Sequence, residues 1–191
     1  VSAHWEAPAF TVQGNPKPPM IYDYGGFPAH TYEVHYDSPG SPELAQRVQS
    51  LIAAAGLPAQ IDPERGYDHG MFSPMAAMYP KADVPVVQLS LRRGLDPAEH
   101  LALGRALAPL RDEGVLIVGS GFLTHGLPFL RDWRWDAPPP GWSSDFDAWA
   151  KDALARGDVD ELMGFRSRAP GMPYAHPTVE HFAPLFVTLG A

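Results

Sequence analysis

Three histidines of this chain stand where a strand or helix ends, and imidazoles placed there can share a ligand. His4 follows Val1-Ser2-Ala3 and precedes Trp5, at the apparent end of a buried strand. His125 comes just after the apolar run VLIVGSGFLT, in which Gly-Ser-Gly permits close backbone approach. His181 lies in PTVEH, near a helix start. Three imidazoles delivered from three element ends are the raw material of a metal site, although no pair has the compact i, i+4 spacing that fixes a ligand set by itself. His69, in GYDHGMFSP, has Asp68 before it and Gly70 after it, and reads as a substrate-facing or ligand-supporting imidazole. His30 and His35 fall in an aromatic stretch and His100 on the outer part of a helix, so these three are read as ordinary surface or packing residues.

Composition limits what those histidines can serve. The chain has 191 residues, 45% hydrophobic and 19% charged, which describes a globular protein. One domain of that size buries about 70% of the surface its unfolded chain exposes. A formal charge of -8 with scattered Lys and Arg argues against a nucleic-acid partner and for a small ligand. There is no cysteine, so disulfides and thiolate sites are excluded and a metal must rely on His, Asp, Glu and water. The longest apolar runs are about half of a membrane span, so no membrane association is expected. The absence of cysteine fits a cytoplasmic protein.

The elements that must position these residues alternate. A short strand is expected near FTVQ, inside a Pro-, Gly- and aromatic-rich excursion over residues 8–40. A helix opens with Ser41 as N-cap, Pro42 in its first turn and Glu43 after it, buries Leu44, Val48, Leu51 and Ile52, and closes at Gly56. PAQID reads as a strand, GYDHGMFSPMAAMYP as a loop and short helix ending before Pro80, and VPVVQLSL as a strand covered on both faces. DPAEHLALGRALAPLRDEG repeats the Asp-Pro helix start, and VLIVGSG reads as a second buried strand. Helices are expected over GWSSDFDAWAKDALARGD and VDELMGFRSRAP, with a last one from Thr178. The pattern implies a single layered α/β domain, a central mixed β-sheet flanked by helices, with functional residues on loops at strand ends.

Seven blocks carry a further signal: VSAHW, YDYGGFP, YDSPGSPELA, GYDHGMFSP, MYPKADVPVVQLSL, LRDEGVLIVGSGFLTHGL and HPTVEHFAPLFVTLGA. In this order, along almost the whole chain, they resemble the class III extradiol ring-cleavage dioxygenases, in the DOPA dioxygenase-like branch. The resemblance implies a non-haem metal site with Fe(II) in turnover and often Zn(II) in isolated protein. It implies His4 and His181 as metal ligands, His125 as the acid/base residue that can also reach a resting zinc, and His69 beside the substrate. Glu180 adjoins His181 and is the fallback carboxylate ligand. The implied co-substrates are a small catechol and O2, and the product a ring-opened semialdehyde. Tyr22, Tyr24, Phe72 and Trp5 are candidates for an apolar wall.

The family's remaining ligand belongs to a His-Gly motif upstream of SAHW, and its last strand follows TLGA. Residues 1–191 are therefore expected to be a catalytic domain incomplete at both ends relative to the family. Met71 and Gly126 stand where branch members often carry bulkier or amide side chains, which bears on substrate fit. Two other classes use the same residues differently: a zinc hydrolase that activates water, and a non-catalytic scaffold of the same fold.

Overall fold

The computed structural model describes residues 1–191. Its elements are β1 (Glu6–Ala7), β2 (Phe10–Gln13), α1 (Pro42–Ala54), β3 (Ala59–Asp62), α2 (His69–Met78), β4 (Leu91–Arg92), α3 (Pro97–Leu107), α4 (Pro109–Asp112), α5 (Gly141–Arg156), α6 (Val159–Met163), α7 (Phe165–Arg168) and α8 (Ala183–Gly190). The class is α/β. Parallel ladders join β1 to β4 and β2 to β3, and an antiparallel bridge from Val12 to Leu89 makes the strand layer mixed.

The helix starts follow the side-chain chemistry. Ser41 Oγ accepts the Leu44 amide at 3.2 Å, and the Asp96 carboxylate accepts the Glu99 amide at 3.0 Å, each followed by Pro in the first turn. Helix α1 buries Ala45, Val48 and Ile52 against Phe10, Val12, Leu103 and Val187, with Leu44 and Leu51 half-buried at the margin. A second cluster joins Phe146 of α5, Leu162, Phe165 and Phe182 to Phe186 of α8. The third, Tyr36, Tyr67, Met71, Phe72 and Met75, lies under the start of α2.

Three expected elements differ. VPVVQLSL forms a ladder only from Leu91, although Gln88 and Ser90 exchange backbone bonds with Gln13 and Thr11. VLIVGSG forms no ladder beyond a bridge between Ser2 and Ser120, and Leu116 is exposed. The Ser2 amide donates to Leu89 at 3.2 Å and the Ala3 amide to Ser120 at 3.0 Å, so this short stretch pairs on both edges. Beyond it, residues 84–88 together with Val115, Leu116 and Val118 line an apolar groove of about 300 Å³. The last helix starts at Ala183 rather than Thr178. A helix begun at Thr178 would carry Pro184 in its interior, where the ring meets the preceding turn; at the second position of α8 it costs nothing.

His100 also departs from its expected place on an outer helix face. It is fully buried, its Nδ1 donating to the Asp96 carbonyl at 2.7 Å and its Nε2 accepting the Arg92 amide at 3.3 Å. Helix α3 turns that face toward Phe10, whose ring meets the imidazole edge-on.

Candidate active site

Four imidazoles converge. The ring of His4 lies 3.8 Å from that of His69 and 4.9 Å from that of His181, and His125 stacks on His181 at 3.4 Å with planes 8° apart. These are the four residues singled out by position in the sequence, and they come from the turn at residues 3–4 between the Ser2 bridge and β1, the first turn of α2, the 119–126 loop and the turn before α8.

Backbone contacts explain the convergence. The Phe122 amide donates to the His181 carbonyl at 2.9 Å, and the His125 amide to the Ala175 carbonyl at 2.7 Å, clamping the 119–126 loop to residues 175–181. Gly121 makes the clamp possible, because a Cβ there would lie 2.2 Å from the His181 carbonyl oxygen. At the other side, a Cβ on Gly70 would lie 2.5 Å from Ser2 Oγ and 2.8 Å from the His4 ring. Below, the fully buried Asp68 carboxylate accepts Ser2 Oγ at 2.8 Å, Arg65 at 2.9 Å and the Gln88 amide group. Arg65 in turn covers Trp5 at 4.4 Å, which commits Trp5 to that stack.

Each histidine pair has its own carboxylate. Glu180 accepts His181 Nδ1 at 2.9 Å and the Thr178 hydroxyl at 3.0 Å, so adjacent Glu180 and His181 meet side chain to side chain instead of diverging. Asp23 accepts both the amide and Nδ1 of His69, at 2.9 and 2.8 Å, and its other oxygen is 3.6 Å from His4 Nδ1. Potential ligand atoms within each set, His4–Asp23–His69 and His125–Glu180–His181, lie within 4.8 Å of one another. His4 thus groups with His69 by donor distance, while its ring also reaches His181.

The electrostatics favour neutral imidazoles at His4, His125 and His181. Burial pulls His181 down to about 4, against the opposing pull of the Glu180 hydrogen bond. Burial also lowers His4, with His69 adding to the effect, and lowers His125. Neutral imidazole has a free lone pair, the form that binds metal or takes a proton. Burial pushes both carboxylates up, but hydrogen bonds led by the His69 amide at Asp23 and by its own amide at Glu180 leave each below the ordinary range.

The fit to a metal is tested by one atom. His181 Nε2 is buried with no hydrogen-bond partner, while Nδ1 is engaged by Glu180. An unsatisfied buried polar group costs about 1–3 kcal/mol, and a ligated ion removes that cost. A carboxylate on one ring nitrogen and a free lone pair on the other is the arrangement of a ligating histidine.

Of the wall candidates, Tyr24 meets the His69 ring edge-on at 5.3 Å, while Phe72 is core. Phe122, which sequence reasoning missed, is exposed and faces both His125 and His181 at about 6 Å. Its place between VGSG and TH was a usable signal. Asp23 was also missed as a site residue, and its only signal was membership in the YDYGGFP block. His176 is buried, bonded to the Leu123 carbonyl at 2.7 Å and packed on Phe146, a structural imidazole; His30 and His35 are exposed. No helix is long and apolar enough to cross a membrane.

Comparisons with known proteins give the family. Residues 1–191 match the family model described as the catalytic LigB subunit of aromatic ring-opening dioxygenase. A 4,5-DOPA dioxygenase extradiol from Beta vulgaris is 47% identical over 195 residues, covering 100% of this chain and 71% of that protein. The Escherichia coli K12 protein of the same name is 41% identical, covering 100% and 70%. The crystal structure of an uncharacterized E. coli K12 protein superposes with a TM-score of 0.81 at 36% identity, covering 100% of this chain and 72% of the other. On these matches, which cover the whole of this chain, it belongs to the LigB family of aromatic ring-opening dioxygenases, class III extradiol enzymes, in the DOPA dioxygenase-like branch.

Proposed function

We propose that this chain cleaves a DOPA-like catechol with O2, beside the two hydroxyl-bearing carbons, giving a ring-opened semialdehyde that keeps both oxygen atoms. The observation that carries the reading is the convergence of four imidazoles around a buried, unpartnered His181 Nε2. The names of the relatives support a DOPA-like substrate. His4 and His181 would hold the metal, with His125 within reach of it. A bound Fe(II) supplies the means for O2, whose ground state reacts sluggishly with electron-paired molecules, to meet the catechol. Zn(II) would occupy the same donors in isolated protein.

The chain's own residues do the rest. His125, neutral at working pH because burial lowers it, takes a hydroxyl proton from the catechol onto its imidazole and later returns it during oxygen–oxygen cleavage. His69 hydrogen-bonds the substrate, and Glu180 holds the His181 ring by its Nδ1–H. Tyr24 and Phe122 flank the aromatic ring of the substrate.

Oxygen uptake is the test. Fe(II)-reconstituted protein mixed with DOPA, caffeate or protocatechuate is expected to consume O2 and form a yellow product. His125→Ala is expected to lower turnover about 10²–10⁴-fold with metal content nearly unchanged. Hydrolysis consumes no O2, so iron-loaded protein that is inert with every catechol would sink the reading.

A further inference from the structure

We infer that Asp23 is a positioning residue: its carboxylate holds His69 as the tautomer protonated on Nδ1, leaving Nε2 to accept a hydrogen bond from the substrate. The inference rests on the reading of His69 as substrate-facing.

One oxygen of Asp23 takes both the His69 amide and His69 Nδ1, at 2.9 and 2.8 Å. An ionised carboxylate only accepts, so Nδ1 must carry the proton, and in neutral imidazole the other nitrogen is then an acceptor. A histidine in water favours the opposite tautomer, with the proton on Nε2. Asp23 thus sets a state that His69 would not adopt by itself. A catechol hydroxyl is a donor, and an acceptor is what it needs.

The loop that carries Asp23 is anchored on both sides. The Ile21 amide donates to the Tyr67 carbonyl at 2.7 Å, the Tyr22 hydroxyl to the Val34 carbonyl at 2.8 Å and the Tyr24 hydroxyl to the Thr31 carbonyl at 2.5 Å. Tyr24 also packs its ring against His69. The carboxylate side chain is only 20% exposed although the loop is on the surface. Its second oxygen lies 3.6 Å from His4 Nδ1, beyond hydrogen-bond distance, so His69 is the carboxylate's one imidazole hydrogen-bond partner. Asp23 is read as the partner of His69 rather than as a ligand, because one of its oxygens is engaged by both the His69 amide and Nδ1, and the His69 nitrogen nearest it donates a proton and has no lone pair for a shared ion.

The test reads the tautomer directly. Long-range ¹H–¹⁵N spectra of the diamagnetic protein, with and without Zn(II), and with His69→Ala to identify the signal, are expected to show His69 protonated on Nδ1. Asp23→Ala should move it toward the Nε2–H form, and Asp23→Asn, whose side-chain oxygen still accepts, should keep it. In Fe(II)-loaded protein Asp23→Ala should lower kcat about 10–100-fold, with Asp23→Asn recovering most of the loss. A His69 signal unchanged in Asp23→Ala overturns the inference, as does metal loss equal to that of His4→Ala, which would make Asp23 a ligand. Full turnover by His69→Ala would sink the substrate-facing reading of His69 alone, and the tautomer spectrum would still decide what Asp23 does.

Discussion

The two halves of the histidine cluster solve one problem in opposite ways. Each pairs two imidazoles with a carboxylate that bonds an Nδ1. In the His125–His181 half the carboxylate is Glu180, the immediate neighbour of the ring it holds, and His181 is buried. In the His4–His69 half the carboxylate is Asp23, 46 residues away from His69 on a surface loop. On the proposed reading the ion lies at buried His181, whose lone pair is desolvated, and is reached by the His4 ring from the other half, while His69, more open to solvent, meets a substrate that must come and go. A local partner fixes a ring on its own turn, and a distant one ties a substrate-facing ring to a loop.

That contrast can be broken most sharply at Glu180. If it orients His181 for a metal, Glu180→Ala should weaken metal retention about 10–100-fold, measured by dialysis against a chelator. Asp23→Ala should leave retention near wild type. Equal losses would erase the distinction between the halves.

The two close-packed glycines sharpen it next. The Cβ of Gly121→Ala meets a backbone carbonyl that cannot turn aside, and the Phe122–His181 clamp must open. Gly70→Ala meets the Ser2 hydroxyl, which Asp68 holds, and a ring edge, side-chain rather than backbone atoms. Overpacking costs about 1–3 kcal/mol, and urea midpoints should place Gly121→Ala at the upper end and Gly70→Ala at the lower.

The smallest effect isolates burial without a carboxylate. His100 is held by a backbone carbonyl and a backbone amide, and burial lowers its pKa. The unfolded chain takes up a proton below about pH 6.5 while the folded chain does not, so stability is present above that pH and declines as the pH falls toward the folded value. His100→Gln should flatten that part of the urea midpoint against pH. An unchanged slope would assign acid sensitivity to other groups.

How far the sequence reaches follows the same division. His4, His69, His125 and His181 stood out because each lies at the end or start of an element or beside a turn glycine, local signals that survive folding. Ser41 and Asp96 marked helix starts for the same reason. Asp23 did not stand out as a site residue, because its partner is 46 residues away and its surroundings have no periodicity. His100 misled because one helix position reveals a buried face only when its packing partner Phe10 is known. VPVVQLSL and VLIVGSG have the composition of buried strands, but a ladder needs a neighbour in register, and composition does not supply one. Pro184 could have corrected the last helix from sequence alone.

The buried Asp68 has one more consequence, in the time domain. It gathers Ser2, Arg65 and Gln88 from three separate stretches, and the stretch from Ser2 to His4 and the first turn of α2 both depend on it. Releasing one donor leaves a buried charge short of partners, so these stretches have little freedom to loosen separately. The amides around residues 2–4, 70–72 and 88–90 should then exchange with deuterium as one cooperative unit. His4 and His69 would keep their spacing until the whole unit opens, and slow local opening, rather than stiffness of either residue, would govern how long the site stays assembled.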